Sequence, residues 1–532
     1  MVWGIDFGTS TSLLSYTARN AVRTLKLGSL DNWMPSVLAR REERWLVGDE
    51  ATDYAGRNVI RGIKRRITEG NHETVSYFDG QRERTESVDE AILAILKKVR
   101  RRGQTELGAD SNEARFGCPA DWDGAKRKRL VGLAEQAGFE VVNQQLVDEP
   151  IAACISWVQD QLADGKAVAG QVLVFDMGGG TLDVALVDVR AEPGLKPSFF
   201  VKSTAGKPIA GEKIDEEIAN YFLAQSKLRI LETGGSRIDP WLLGSAREIK
   251  EALSSRLEHV SALIHPKHGQ INLSLTRVEL EEIALPLLTQ TWETVEKALY
   301  LAEFTNSQTG AVSRHAAIQG FLDSALDKVD YVVLAGGMAR MPLVAELFAR
   351  KGVPSHKIHI AGESVGNPNE AISLGLAEDL EPDKLNLARP SFDLVFSWHQ
   401  DSTGDHGEEK IYSAYSPLYE STSTEGYPCF RWTSKANIPP TAVVDLKVID
   451  PRGGEELEFR VKDTRETTDI CFRMHDFKHL VLYPSGYMIV RHAGTDRIRV
   501  VNWPFGRFNR FVDIEVFKEY EPYQPVPMDD LR

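Results

Sequence analysis

Cysteine is scarce in this 532-residue chain: Cys118, Cys154, Cys429 and Cys471 are the four present, and no two stand in a C-x-x-C spacing. A disulfide scaffold and a cysteine zinc site are not expected, and a reducing cytoplasm is the expected setting. No apolar run approaches the roughly 18–20 residues that a membrane helix needs, so no membrane partner is expected. The first strand signal starts at Val2, which leaves no room for a cleaved targeting segment. Positive charge is not in excess either. Lys and Arg number 63 against 77 Asp and Glu, for a net charge of -14. That balance argues against direct nucleic-acid binding or an anionic membrane surface as the main partner. Short basic runs, Lys64-Arg65-Arg66 and Lys126-Arg127-Lys128-Arg129, fall in helical patterns and read mainly as solvated faces.

What is present is an ordinary globular composition, 42% hydrophobic and 26% charged, long enough for several domains or subdomains. Within it stand two matching loops. One is Gly4-Ile5-Asp6-Phe7-Gly8-Thr9-Ser10. The other is Val174-Phe175-Asp176-Met177-Gly178-Gly179-Gly180-Thr181-Leu182-Asp183. Each reads as strand, tight turn, strand. Glycine lets backbone N–H groups converge on one anion with no Cβ in the way. An Asp beside such a loop cannot hold phosphate directly, because like charges repel. It fits if a cation lies between, as Mg2+ does with a triphosphate. Two such hairpins imply two half-domains closing on one nucleotide.

Around the loops, the apolar spacing predicts helices over Ser87–Arg101, Ala125–Ala137, Glu212–Leu228, Pro240–Leu257, Glu279–Ala302 and Asn367–Leu380. Residues 212–305 read as mostly helical. Tyr331–Leu334 reads as a buried strand running into Gly336-Gly337, with Pro342 suited to the first turn of the next helix. Beyond residue 381 the pattern changes to short alternating strands. Val444, Leu446 and Val448 alternate before a Pro451-Arg452-Gly453-Gly454 turn, and Leu457, Phe459 and Val461 alternate after it. Ser397–Gly426 is polar and reads as loop, and the Pro-containing end as an exposed tail.

These features together resemble the actin, sugar-kinase and heat-shock ATPase superfamily. Within it they are most similar to the seventy-kilodalton heat-shock, DnaK-like chaperones. Leu146-Val147-Asp148-Glu149-Pro150-Ile151-Ala152-Ala153 resembles that family's segment after the first lobe. Gly117-Cys118-Pro119-Ala120 with Arg127 resembles its proline-switch stretch, and Ile63-Lys64-Arg65-Arg66-Ile67 the stretch with its catalytic lysine. Val333–Pro342 is similar to its adenosine loop, and Asn367-Pro368-Asn369-Glu370-Ala371 to its closing helix. The resemblance covers about residues 2–380. It implies an α/β fold: a two-lobed actin-like ATPase with ribonuclease H-like subdomains, followed by a small β-rich C-terminal domain. The expected divisions are 1–165 for lobe I and 166–380 for lobe II, with a helical subdomain at about 212–305. A linker at 381–392, a β-rich domain at 393–520 and a tail at 521–532 would follow.

The resemblance also implies the chemistry. Gly8, Thr9, Ser10, Gly178, Gly179, Gly180 and Thr181 would cradle the phosphates of ATP or ADP. Asp6 and Asp176 would hold Mg2+, with K+ a further candidate ion. Lys64, Glu149, Asp176 and Thr181 would be catalytic, Glu149 acting on the attacking water and Lys64 on phosphoryl charge. Gly211, Glu212, Lys250, Ser254, Gly336, Gly337, Met338 and Arg340 would take the rest of the nucleotide.

Several positions depart from the family pattern. Arg247 stands where an acid is usual, and Glu251 where a base is usual, so the two are candidates to pair. Lys213, Met338 and Asn369 are also exchanged. These departures gather on the adenosine side and spare the phosphate side. In the C-terminal part Asp393-Leu394-Val395-Phe396 reads as a first strand rather than a linker remnant, and no long helical lid follows. The expected function is an ATP-dependent chaperone with slow hydrolysis, its β domain taking protein or peptide clients. The alternatives are a nucleotide-sensing adaptor that recruits one specific partner and, behind it, a small-molecule kinase.

Overall fold

The structure is a computed structural model of the chain. It describes residues 2–18, 21–55, 59–70, 73–78, 83–108, 112–142, 146–225, 232–233, 237–265, 267–304, 324–362, 367–378, 390–416, 430–432, 437–451, 454–482, 488–492, 496–502 and 510–518. The fold is α/β and actin-like in its first part, with a β-rich C-terminal region.

Two sheets carry the loops, and they are built alike. In the first, Trp3–Phe7 pairs antiparallel with Thr11–Ala18 on one side and parallel with Glu113–Cys118 on the other. In the second, Val168–Met177 pairs antiparallel with Leu182–Ala191 and parallel with Tyr331–Ala335. Each Asp-Gly loop thus lies at the end of a central strand. Strand Trp3–Phe7 is buried at all five positions, as a strand covered on both faces must be.

The helices cover these sheets. Val88–Leu107 buries Val88, Ile92, Leu96 and Val99 in the first core, the stripe that the spacing predicts. Glu149–Ala163 starts with Pro150 in its first turn. The closing helix Ala371–Ala377 is buried throughout and packs on both Glu149–Ala163 and Trp3–Phe7. Its Gly375 lies against the Ala152 backbone, and Gly4 faces the Ser373 carbonyl; neither contact has room for a Cβ.

Sequence and structure differ in several places. The helical reading of 212–305 holds for Gly211–Ala224, Pro240–Leu253 and Arg277–Phe304, but a hairpin, Glu258–His265 with Gly269–Thr276, separates the last two. Ser261, Leu263 and His265 point inward while Val260, Ala262 and Ile264 point out, a period of two inside a helical block. The helix expected over Asn367–Leu380 begins as a single 3-10 turn, Pro368–Glu370, and ends at Ala377. The loop expected over Ser397–Gly426 takes in the end of strand Asp393–His399 and its antiparallel partner His406–Tyr412, and its part at 417–426 lies outside the described residues. Polar Glu408 and Lys410 mark the outer face of that second strand, so polarity there reports exposure and not loop.

The C-terminal strands enclose one core, with Phe396 at its centre in edge contacts with Trp432, Phe472 and Phe477. Val444, Leu446 and Val448 all face inward, as their alternation predicts. Asp393–Phe396 begins a strand, the favoured of its two readings. The linker apart from 390–392 and the tail at 521–532 lie outside the described residues. Among the described residues no helix is long and apolar enough to cross a membrane. Cys118, Cys154 and Cys471 are free thiols.

Candidate functional site

The two loops close with the same backbone hydrogen bond. Gly8 N–H donates to the Thr11 carbonyl (2.9 Å), and Gly178 N–H donates to the Thr181 carbonyl (3.1 Å). They then meet face to face. A Cβ on Gly180 would lie 2.6 Å from Thr9 Oγ1, and one on Gly179 would collide with Ser10 Oγ. A Cβ at either position would make the facing Ser10 or Thr9 side chain move, because each loop is the other's wall. Behind the second loop, Gly211 N–H and Glu212 N–H donate to the carbonyls of Gly178 and Gly179 (3.1 and 2.8 Å) and pin it.

Between the loops opens a cavity of about 290 Å3. Four charged side chains stand at its inner end, all at least nine-tenths buried: Asp6, Lys64, Glu149 and Asp176. Lys64 Nζ, on helix Ile63–Glu69, donates to Glu149 Oε1 at the start of helix Glu149–Ala163. Burial alone would lower the Lys64 pKa, but Glu149 and Asp6 outweigh it and hold the ammonium above its usual range. The Asp6 and Asp176 carboxylates make no hydrogen bond or ion pair within 4 Å to another described residue. Burial pushes the Asp6 carboxyl up to about 7, with Glu149 adding to the rise and Lys64 opposing it. Burial likewise raises Asp176 well above the carboxylate range. A buried acid without a donor is costly. A cation between Asp6 and Asp176 removes that cost, so the donor set fits a hard, oxygen-liking divalent ion such as Mg2+. Gly336, at φ +76°, brings its backbone against Asp176; a Cβ there would sit 2.6 Å from Asp176 Oδ1.

The outer end is built from side chains. Helix Pro240–Leu253 supplies Arg247, Lys250 and Glu251, with Ser254 as its cap; the 3-10 turn Gly337–Arg340 supplies Met338 and Arg340. Lys250 Nζ is 2.6 Å from Asp215 and 2.9 Å from the Gly211 carbonyl. Arg247 bonds Asp215 (3.1 Å) and Glu212 (3.4 Å), not Glu251, so the pairing expected between Arg247 and Glu251 does not form. Asp215 is almost wholly buried and one turn along the neighbouring helix, which is why it wins the cation. Arg340 donates to Asn367 Oδ1 (2.7 Å), whose amide donates to Glu370; Asn32, from the first lobe, donates to the same Glu370 oxygen (3.0 Å). Lys213 turns away to Glu216 (2.6 Å).

Every site residue expected from the sequence lines this cavity except Gly211 and Glu212. Their backbone pins the second loop, and the Glu212 carboxylate bonds Arg65 and Arg247 instead. The cavity also takes in Thr11, Trp33, Asp215 and Ile372, which sequence reasoning missed. Trp33 precedes the Met34–Pro35 bridge to Thr11–Ser12, and only that long-range pairing carries it to the site.

Comparison with known proteins agrees with this architecture. The family model described as Hsp70 protein matches residues 2–378. The chain belongs to the Hsp70 family. Two of its similar relatives carry the family's names. The chaperone protein DnaK of Mycoplasmopsis synoviae (strain 53) is 29% identical over 391 residues, which cover 71% of this chain and 58% of the relative. The heat shock 70 kDa protein of Ajellomyces capsulatus is 28% identical over 408 residues, covering 70% of this chain and 52% of the relative. The chain thus spans little more than half the length of these Hsp70 relatives. The Hsp70 match ends at residue 378, where the β-rich region has yet to begin.

One further feature joins that region to the Hsp70 part. Arg127 is buried on helix Gly124–Gln136, bonded to Asp148 (2.6 Å) and to the Trp122 carbonyl (2.9 Å). Its guanidinium lies 4.1 Å from the ring centre of Tyr415, and Gly124 N–H donates to the Ala414 carbonyl (2.7 Å). Tyr415 has φ +61°, a left-handed conformation that a tyrosine adopts only under constraint. Asp148 immediately precedes Glu149, so a short chain of contacts runs from the inner cavity to the β region.

Proposed function

We propose that the cleft binds a nucleoside triphosphate with Mg2+ and hydrolyses it slowly, in a chaperone of the Hsp70 type. The supporting observation is the buried Lys64–Glu149 ion pair, set beside two interlocked glycine loops and two carboxylates that have no partner among the described residues. In this reading the N–H groups of Gly8–Ser10 and Gly178–Thr181 take the phosphates. Asp6 and Asp176 would hold Mg2+, and K+ is a further candidate ion. Mg2+, when bound, supplies positive charge at the phosphoryl oxygens. Lys64 adds charge on the same oxygens and fixes Glu149 by one carboxylate oxygen. The other oxygen of Glu149 is then oriented to accept a hydrogen bond from the attacking water. Phosphoryl transfer needs chiefly such positioning and electrostatic stabilisation.

The domain divisions belong to the same proposal: lobe I to residue 165, lobe II to 380, a linker, then a β-rich domain that binds protein or peptide clients. A cytoplasmic setting rests on the cysteine usage. Membership in the Hsp70 family favours the chaperone over the adaptor and the sugar-type kinase. The test is a steady-state ATPase assay on wild type, Asp176→Asn and Lys64→Ala. Loss of turnover in both is expected; unchanged turnover in both removes the catalytic claim.

A further inference from the structure

Lys64 stands on a helix with few directional ties of its own. Ile63–Glu69 makes about two turns, and a helix so short is not stable alone. It runs between Gly62 and Gly70, both left-handed, and no side chain caps its start. Ile63 and Ile67 are buried in the first core, but apolar contact is non-directional and does not set how the helix is turned about its axis. Arg65 reaches Glu212 across the cleft, though its side chain is about a third exposed and water weakens that pair. Lys64 itself hangs on a flexible four-carbon stem. Its hydrogen bond to Glu149 fixes one point and not a direction.

Trp122 supplies the direction. It is fully buried, and its indole meets this helix twice. The Nε1–H donates to Thr68 Oγ1 (3.0 Å), one turn along from Lys64 and so on the same face. The ring centre lies 5.8 Å from Lys64 Nζ, within the roughly 6 Å at which an aromatic face attracts an ammonium. Trp122 is held in its turn from behind: its N–H donates to the Pro119 carbonyl (3.2 Å), and its carbonyl accepts from Arg127 Nε (2.9 Å). A buried tryptophan generally finds a partner for its N–H, so that bond alone carries nothing. Here the bond sets the rotation of the helix and the ring receives the end of the lysine that the helix presents.

We infer that Trp122 is a positioning residue for hydrolysis, which orients helix Ile63–Glu69 through Thr68 and holds the Lys64 ammonium against its ring. The inference rests on the ATP-hydrolysing reading above and adds to it a residue that does not line the cavity.

Single-turnover ATP hydrolysis and ADP calorimetry on the full chain with Mg2+ test it. Rates are counted per ADP site, which cancels any loss of folded protein. Trp122→Leu is expected to slow hydrolysis by about tenfold to 100-fold, the range of a group displaced by about 1 Å, with ADP affinity within about twofold of wild type. Trp122→Phe keeps a ring without the N–H, and Thr68→Val removes the acceptor; each is expected to slow hydrolysis about threefold. A second measurement needs no activity. With 5-fluorotryptophan incorporated, the Trp122 fluorine resonance, assigned by its loss in Trp122→Phe, is expected to move in Lys64→Met and to stay in Lys166→Met, whose lysine is exposed. An unmoved resonance in Lys64→Met, an unchanged rate in Trp122→Leu, a Trp122→Phe as slow as Trp122→Leu, or equal losses of rate and affinity each overturn the inference and leave ATP hydrolysis intact. Wild type that hydrolyses no ATP overturns the hydrolytic reading and the inference with it.

Discussion

The two ends of the cavity are made of different material. The inner end joins backbone to buried side chains: two hairpin loops, each bounded by an antiparallel register that fixes its turn, with Asp6, Asp176 and the Lys64–Glu149 pair beside them. The outer end is side chains on one helix and one 3-10 turn, tied by ion pairs that can be rearranged. Backbone N–H groups cannot be substituted away, and Gly179 and Gly180 lie against Ser10 and Thr9 of the facing loop. Side-chain charges can change places if the local sum is kept. Arg247 and Glu251 show this: the arginine has turned to Asp215 and Glu212, and the acid is left facing the cavity. On the proposed reading, the end for the phosphates is bounded by two loops, and the end for the rest of the ligand by side chains that other partners in space can claim.

Four measurements would break or sharpen that contrast. The largest effect is expected from Lys64→Ala, which removes a cation from among three buried acids. Turnover should fall by about 100-fold or more. The fold should lose about 3 kcal/mol from the orphaned Glu149. Single-turnover kinetics and denaturant melts check both; a mild effect would mean the inner end is less rigid than its burial implies.

Next comes Gly179→Ala. Its Cβ would press on Ser10 across the cleft, so affinity for Mg-tripolyphosphate should drop by about tenfold or more. Calorimetry with tripolyphosphate isolates this from the base end. An unchanged affinity would show that the loops can part without loss.

The third concerns pH in metal-free protein. The Asp6 carboxyl is raised from 3.8 to about 7 in the folded state, by burial first. The folded chain therefore keeps a proton that the unfolded chain releases, and stability falls as pH climbs from about 4 to about 7. The slope is on the order of 1.4 kcal/mol per unit. Asp6→Asn removes this contribution, so the variant should melt above wild type at pH 8 in chelator and the gap should close toward pH 4. Parallel melting curves at both pH values would refute the strained-acid picture.

The smallest effect is expected at the outer end. Asn367→Ala frees the Arg340 guanidinium, and nucleotide affinity should weaken about threefold to tenfold with tripolyphosphate affinity unchanged. Equal losses for both ligands would erase the distinction between the two ends.

Much of the inner end was legible in the sequence. Asp6 and Asp176 stood in repeated contexts, and a loop of glycines after an apolar strand has few other uses. Lys64, Glu149 and Arg127 were legible through family resemblance, because each lies in a short contiguous stretch. Trp33, Asp215 and Asn32 were not, since their places depend on partners distant in the chain: Met34–Pro35 on Thr11–Ser12, Asp215 on Arg247 and Lys250, Asn32 on Glu370. The hairpin Glu258–His265 with Gly269–Thr276 was masked by the helices on either side, although Val260, Ala262 and Ile264 carried its period of two. The strand Asp393–His399 was found by its apolar start, and its partner His406–Tyr412 was missed because its outer face is all charge.

By itself the sequence determined the local elements that need only neighbours: the two Asp-Gly turns, the amphipathic stripe of Val88–Leu107, the alternating strand Val443–Asp450. Glycine, apolar period and turn residues act within a few positions, so they can be read in line. Tertiary structure alone decided which charge meets which. Arg247 had Glu251 one turn away and took Asp215 and Glu212 from another helix; Arg127 took Tyr415 from the β region. The energy of an ion pair depends on burial and distance in space, and neither is written in the spacing along the chain.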